Sequence, residues 1–227
     1  MYKPIKACLF DLDGVLVDTA KYHFIAWKRL AESLGIEFTE HDNEQLKGVS
    51  RVESLEYILR KGKVQLSQAE KIDLMDTKNT WYLELVATMH PDDLLPNVWK
   101  FLSELKSNGV KIGLGSSSKN AQIILDKTNI TPFFDTVVDG RHVTFSKPHP
   151  EVFVKGAAQL NVQPHETIVF EDAASGIEAA LAGGFYTIGL GDANILRAAH
   201  LVIPSLQHLN YTQLLTLPFL ENSNSKA

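Results

Sequence analysis

From residue 110 onward, short apolar runs alternate with helix-patterned stretches, and this alternation constrains the fold more than any other feature of the chain. The runs lie at 110–114, 136–138, 167–170, 186–190 and 201–203. Strands separated by helices are joined by crossovers, which gives a parallel sheet with helices on both faces. Residues 5–10 (Ile-Lys-Ala-Cys-Leu-Phe) have the same buried character and belong in that sheet. Residues 17–91 read differently. Phe24, Trp27, Leu30, Ala31 and Leu34 fall at helical spacing, and Gly35 supplies a stop. Ser50-Arg-Val-Glu53 and Ser67-Gln-Ala-Glu70 are capping boxes that open two further helical patterns, the second reaching about residue 89. Pro91 and Pro96 punctuate the exit. Further helices are expected at 98–106 and 120–128. The expected architecture is α/β: a Rossmann-like parallel-sheet core from 1–16 and 92–227, with an α-helical insert at 17–91 after the first strand.

Composition sets outer limits. The chain has 227 residues, 44% of them hydrophobic and 22% charged, which excludes a disordered chain, a fibre or a disulfide scaffold. The net charge is 22 − 27 = −5 with no basic cluster, so nucleic acid is not an expected partner. One cysteine, Cys8, cannot form an internal disulfide, which fits a reducing compartment. The N-terminus lacks a signal-peptide pattern, and the charge-free stretch between Arg197 and Glu221 is broken by Pro204, Asn210 and Pro218. A cytoplasmic monomer with no membrane partner is expected, with a frayed tail at 222–227.

Four constellations can carry chemistry. Asp11-Leu-Asp-Gly14 follows the first strand, and strand C-terminal ends are where open α/β sheets bind ligands. Two carboxylates facing one pocket repel without a cation, so the pair suggests a metal, and oxygen donors favour Mg²⁺. The competing reading is a simple Asp-Gly turn. Gly113-Leu-Gly-Ser-Ser-Ser-Lys-Asn120 also runs from a strand end into a helix, where hydroxyls and backbone N–H groups suit a phosphate. Ser118 could equally be only an N-cap. Lys147-Pro148 says little alone, since a lone lysine is usually surface. Glu171-Asp172 ends a third strand and would complete a carboxylate cluster, or Asp172 would cap the helix that follows. Together these place acidic, hydroxyl and acidic groups on one edge of a parallel sheet, with a lysine between.

In order and spacing, Asp11-x-Asp13, Ser116, Lys147-Pro148 and Glu171-Asp172 resemble the four motifs of the haloacid dehalogenase superfamily. The match spans nearly the whole chain, and the insert looks like the cap of that superfamily's phosphoglucomutase-like branch. Residues 18–27, Asn43-Glu-Gln-Leu-Lys47-Gly-Val-Ser-Arg51, Lys78-Asn79 and Ser116-x-Ser-Lys-Asn120 are similar to that branch.

The resemblance implies that Asp11 is a nucleophile forming an aspartyl phosphate and that Asp13 is the general acid/base. It implies Mg²⁺ held by Asp11, the Asp13 carbonyl and Asp172, with Glu171 in or near the shell. Ser116 and Lys147 would bind the transferring phosphate, with Ser117, Ser118, Lys119 and Asn120 beside them. In the cap, Arg51 would grip a second phosphate, with Gly48, Val49 and Ser50 as nearby donors. Lys47 and Lys78 would touch sugar or phosphate, though alone each reads as a surface lysine. His23 would orient Asp13 and Trp27 would wall the sugar, unless both only pack the interior. The implied reaction converts β-D-glucose 1-phosphate to glucose 6-phosphate, with glucose 1,6-bisphosphate as intermediate and priming donor. Rival readings are a sugar-phosphate phosphatase, a mutase for another sugar, and a non-catalytic phospho-aspartate receiver module. Ala173 stands where the family often has serine, and 140–145 is less familiar.

Overall fold

A computed structural model describes residues 5–221 of the chain. The tail at 222–227 lies outside the described residues. In chain order the first elements are strand β1 (Ala7–Phe10) and helices α1 (Ala20–Ser33), α2 (Glu40–Gln45), α3 (Arg51–Gly62), α4 (Gln68–Val86) and α5 (Val98–Ser107). Then come β2 (Lys111–Gly115), α6 (Ala121–Lys127), β3 (Thr136–Val138), α7 (Glu151–Gln159), β4 (Thr167–Glu171) and α8 (Ala174–Ala182). The chain closes with β5 (Tyr186–Leu190), β6 (Leu201–Ile203), α9 (Tyr211–Leu215) and α10 (Pro218–Glu221).

The six strands form one sheet in the order β3-β2-β1-β4-β5-β6, with every pairing parallel. β1 lies centrally, so all four of its residues are buried. Its pleat sends Cys8 and Phe10 to one face and Ala7 and Leu9 to the other. The Phe10 face packs Phe101, Leu102 and Leu105 of α5 and Ile124 and Leu125 of α6. The Leu9 face packs Val152, Phe153 and Ala157 of α7 and Ala179 and Ala180 of α8. A strand covered on both sides must be apolar throughout, which is why residues 7–10 read as a run and not as an alternation.

The helices α1 to α4 form a cap inserted between β1 and β2. They bury a core of their own from Trp27, Leu30, Phe38, Leu55, Ile58 and Leu59. Ser50 and Ser67 cap α3 and α4, each in a reciprocal box with Glu53 and Glu70. The chain's two crossings into the cap run side by side. Val17 bridges Leu94, and the Leu95 N–H donates to the Leu16 carbonyl at 2.9 Å. Among the described residues no helix is long and apolar enough to cross a membrane.

Candidate active site

The parallel sheet brings the ends of β1, β2 and β4 together, and the chemistry gathers there. Asp11 follows β1 and is buried. Its Oδ2 accepts the Asp13 backbone N–H at 3.0 Å, and its Oδ1 lies 2.5 Å from Lys147 Nζ. Lys147 Nζ also lies 2.5 Å from Glu171 Oε1. Burial alone would lower the lysine's pKa, but Asp11 and Glu171 outweigh it and raise it, so the ammonium stays charged.

Asp13 is held by the Thr19 hydroxyl, which donates to its Oδ1. Burial, with Asp11 next, pushes the Asp13 carboxyl up to about 7. The reversal of the chain at Gly14 has φ +79°, and a Cβ there would collide with the Asp172 carboxylate. Glycine therefore lets the 11–14 backbone close onto Asp172. Asp172 is pushed well above the usual carboxylate range by burial and then by Glu171 and Asp11. Its nearest cation is Lys47 Nζ at 4.0 Å. The N-cap of α8 is Ala173 and makes no side-chain cap, so Asp172 is not a capping residue.

Four carboxylates thus crowd a site in which Lys147 is the closest cation and Lys47 reaches only Asp172, at 4.0 Å. Such an excess of anionic oxygen donors fits Mg²⁺. Among the described residues, no three His, Cys, Asp or Glu side chains converge as a cage. The carboxylates of Asp11 and Asp172 line the cavity at this loop, and Mg²⁺ commonly keeps several waters. Glu171 stands apart from them. Its Oε1 binds Lys147 and its Oε2 accepts the Ala173 N–H at 3.0 Å.

After β2, Ser116 is buried, and its Oγ accepts the Ser118 N–H at 3.1 Å. Ser118 Oγ in turn accepts the Asn120 N–H at 3.2 Å. Ser118 orders this turn but is not the N-cap of α6, a place taken by Asn120. The Ser117 hydroxyl donates to the Gly48 carbonyl at 3.0 Å, which ties the turn to the cap. Lys119 is exposed at the rim.

From the cap, Arg51 Nη2 donates to Asn79 Oδ1 at 2.7 Å, and Asn120 Nδ2 donates to the same oxygen at 2.8 Å. Lys78 is 2% exposed. Its Nζ lies 3.0 Å from His23 Nδ1 and sits over the rings of Trp27 and Tyr82. Burial, with Arg51 next, pushes Lys78 down to about 7. Burial and then Lys78 and Arg51 hold His23 well below its ordinary value, so the ring is neutral and Nδ1 accepts from the lysine. Trp27 packs the cap core and also lines the cavity. The Ser50 hydroxyl and N–H are both engaged with Glu53, so its side chain works as a helix cap.

Core and cap enclose one cavity of about 620 Å³. Asp11, Asp13, Ser116, Lys147 and Asp172 line it together with His23, Trp27, Lys47, Gly48, Val49, Ser50, Arg51, Lys78, Ser117, Ser118, Lys119 and Asn120. Glu171 does not line it and meets the site through Lys147. Thr19 and Asn79 lie within stretches that resemble the branch, but the sequence gives neither a role. Their partners are 6, 28 and 41 residues away, so the resemblance marks the stretches but not the contacts.

The sequence model of the haloacid dehalogenase-like hydrolases matches residues 5–184. The chain belongs to the haloacid dehalogenase-like hydrolase family. Within it, the chain is 44% identical over 201 residues to a β-phosphoglucomutase of Bacillus subtilis, covering 88% of this chain and 89% of that protein. A phosphorylated carbohydrates phosphatase of Thermotoga maritima is 32% identical, covering 81% and 84%. The crystal structure of a β-phosphoglucomutase from Clostridium difficile superposes with a TM-score of 0.90 at 40% identity, covering 92% of this chain and 95% of that one. These haloacid dehalogenase-like relatives include both a mutase and a phosphatase, and of the two the mutase is the more similar.

Proposed function

We propose that this protein is a β-phosphoglucomutase, an isomerase that interconverts β-D-glucose 1-phosphate and glucose 6-phosphate. The carrying observation is the single cavity that joins Asp11 and Asp13 of the core to Arg51 of the cap. A hexose bisphosphate needs a phosphoryl-transfer centre and a second anion site facing it across the sugar. Arg51 makes no ion pair among the described residues and is available as that second site.

The resting enzyme carries a phosphoryl group on Asp11, primed by glucose 1,6-bisphosphate. The 6-hydroxyl of β-glucose 1-phosphate attacks this phosphorus while Asp13 takes the hydroxyl proton. The bond from Asp11 to phosphorus breaks, giving β-glucose 1,6-bisphosphate. After the bisphosphate turns round, Asp11 attacks the phosphorus at C1. The C1 oxygen leaves with the proton from Asp13, and glucose 6-phosphate departs. A carboxyl pushed up to about 7 by burial and by Asp11 suits both directions of this proton transfer. Ser116 and Lys147 hold the oxygens of the transferring group. Mg²⁺ bound by Asp11, Asp172 and the Asp13 carbonyl would offset the repulsion between carboxylate and phosphate. The closed cap keeps water from the aspartyl phosphate.

The cap is assigned to 17–91 and the core to 1–16 and 92–227. The paired crossings at Leu16–Val17 and Leu94–Leu95 support a hinge there. A lone buried thiol and a sugar-phosphate substrate suit the cytoplasm.

The test is a product assay with β-glucose 1-phosphate, Mg²⁺ and a trace of glucose 1,6-bisphosphate. Glucose 6-phosphate without matching phosphate release is the expected result. Free phosphate as the main product would replace the mutase with a capped phosphatase.

A further inference from the structure

Asn79 occupies an unusual position in the cavity wall. Its Oδ1 is a shared acceptor, 2.7 Å from Arg51 Nη2 and 2.8 Å from Asn120 Nδ2. An arginine can only donate, so the atom facing it must be the amide oxygen. The same oxygen then requires Asn120 to present its nitrogen. One atom of α4 thus joins the start of α3 in the cap to the start of α6 in the core. The contact exists only when the cap lies against the core, because its donors belong to the two different bodies.

The chemistry of the acceptor matters as much as its place. A carboxylate could accept the same two hydrogen bonds, and more strongly. It would also neutralise Arg51, which makes no ion pair within 4 Å among the described residues and feels Asp76 only at longer range. Nearby Lys78 is likewise partnered by neutral groups, His23 and two aromatic rings. The direct partners of Arg51 and Lys78 at this end of the cavity are therefore uncharged, with Asp76 and Asp13 acting on them only at longer range.

We propose that Asn79 is a positioning residue that aims Arg51 at the second phosphate when the cap closes, and that its neutral amide keeps the arginine's charge available for that phosphate. The proposal rests on the mutase reading and adds to it a residue that selects for a dianionic group at the far end of the sugar. Asn79 acts through Arg51 and Asn120 and does not touch the reacting atoms.

Two substitutions separate aiming with charge selection from a mere structural tie. Asn79→Ala removes the acceptor and should weaken glucose 6-phosphate binding about tenfold. Asn79→Asp keeps both hydrogen bonds but places a negative charge beside the phosphate, and should weaken binding about a hundredfold. Its Tm should nevertheless equal or exceed that of Asn79→Ala. In the mutase assay both should raise KM far more than they lower kcat. A structural tie predicts the opposite order, with Asn79→Asp rescuing both affinity and Tm. Calorimetry with glucose 6-phosphate and thermal unfolding read the two quantities independently.

Asn79→Asp binding glucose 6-phosphate as tightly as the parent protein would overturn the proposal. So would a Tm of Asn79→Asp below that of Asn79→Ala. Should the parent protein fail to form glucose 6-phosphate while this affinity order holds, the mutase reading falls and the role of Asn79 stands.

Discussion

Lys147 Nζ stands 2.5 Å from an oxygen of Asp11 and 2.5 Å from an oxygen of Glu171, with its side chain fully buried. Removing one member of a buried ion cluster leaves the others uncompensated, and such a loss typically costs about 3–5 kcal/mol. Lys147→Ala should therefore lose stability on that scale as well as all turnover. Adding Glu171→Gln should recover part of the lost stability, because one orphaned charge is gone, and none of the activity. Denaturant unfolding together with the product assay checks both. A Lys147→Ala protein as stable as the parent would show that the lysine does not hold this cluster together.

Asp13 and Thr19 define the acid/base. Asp13→Asn preserves a side-chain oxygen for the Thr19 hydroxyl but cannot carry a proton between sugar oxygens. The kcat should fall about 10²–10⁴-fold, with glucose 6-phosphate affinity little changed. Phosphorylation of Asp11 by acetyl phosphate should persist, since acetate leaves without a proton. A mass shift of one phosphoryl group with acetyl phosphate, and slow transfer from glucose 1,6-bisphosphate, is the expected pattern. Normal turnover in this variant would remove Asp13 from the proton path.

Much of this arrangement is legible in the chain before folding. The capping boxes at Ser50 and Ser67 locate the starts of α3 and α4, because the same residues must satisfy the helix-end N–H groups. Strands packed in a two-sided sheet are apolar, so the buried β5 and the half-buried edge strands β3 and β6 fall where the runs at 186–190, 136–138 and 201–203 stand. The short helix α2 escapes because its box pairs Thr39 with Asp42, not with the longer Glu or Gln. The second helical pattern runs past the true end of α4, since apolar spacing continues to Met89 after the helix stops at Val86. Glu171 shows a different limit. Sequence places it at the right strand end, but only packing decides that its oxygens turn to Lys147 and the Ala173 N–H. Asn79 gathers donors from 28 and 41 residues away, and no local pattern encodes that meeting.

Lys78 gives a pH signature. Its folded pKa is about 7, below the 10.5 of an ordinary lysine, so between these values the unfolded chain binds more protons. Stability must then rise with pH across that window, and the cost of the buried ammonium is fully present below about 7. Lys78→Met carries no such cost. Its stability relative to the parent should be most favourable near pH 6 and decline towards pH 10, as urea unfolding at several pH values will show. A difference that does not vary with pH would assign the effect to packing alone. In the parent protein, a bound phosphate favours the ammonium, so glucose 6-phosphate binding at pH 8 should take up protons. Calorimetry in two buffers of different ionisation enthalpy reads that uptake.

The acidic cluster around Asp11, Asp13, Glu171 and Asp172 predicts a metal response. Burial and mutual repulsion hold Asp172 well above its usual range, and a divalent cation would relieve both. Saturating Mg²⁺ should raise Tm, by linkage worth about 2.7 kcal/mol at a hundredfold excess over its Kd. Chelation should abolish turnover while leaving the fold intact. Asp172→Asn should lose the Mg²⁺-dependent rise in Tm. A rise undiminished in that variant would place the cation elsewhere.

Gly48 marks how closely the cap meets the core. It adopts φ +72°, and a Cβ on it would lie 2.7 Å from Ser175 Oγ and 3.2 Å from the Ala173 side chain. Its carbonyl also accepts the Ser117 hydroxyl at 3.0 Å. Gly48→Ala would therefore strain the backbone locally and push the closed cap away from the start of α8. Because the clash is met only on closure, the open form should be spared. The expected result is a small change in Tm, a raised KM for β-glucose 1-phosphate, and a larger share of free phosphate among the products as water reaches the aspartyl phosphate. Equal mutase and phosphatase fluxes in Gly48→Ala and the parent would mean that closure at this contact does not control water access.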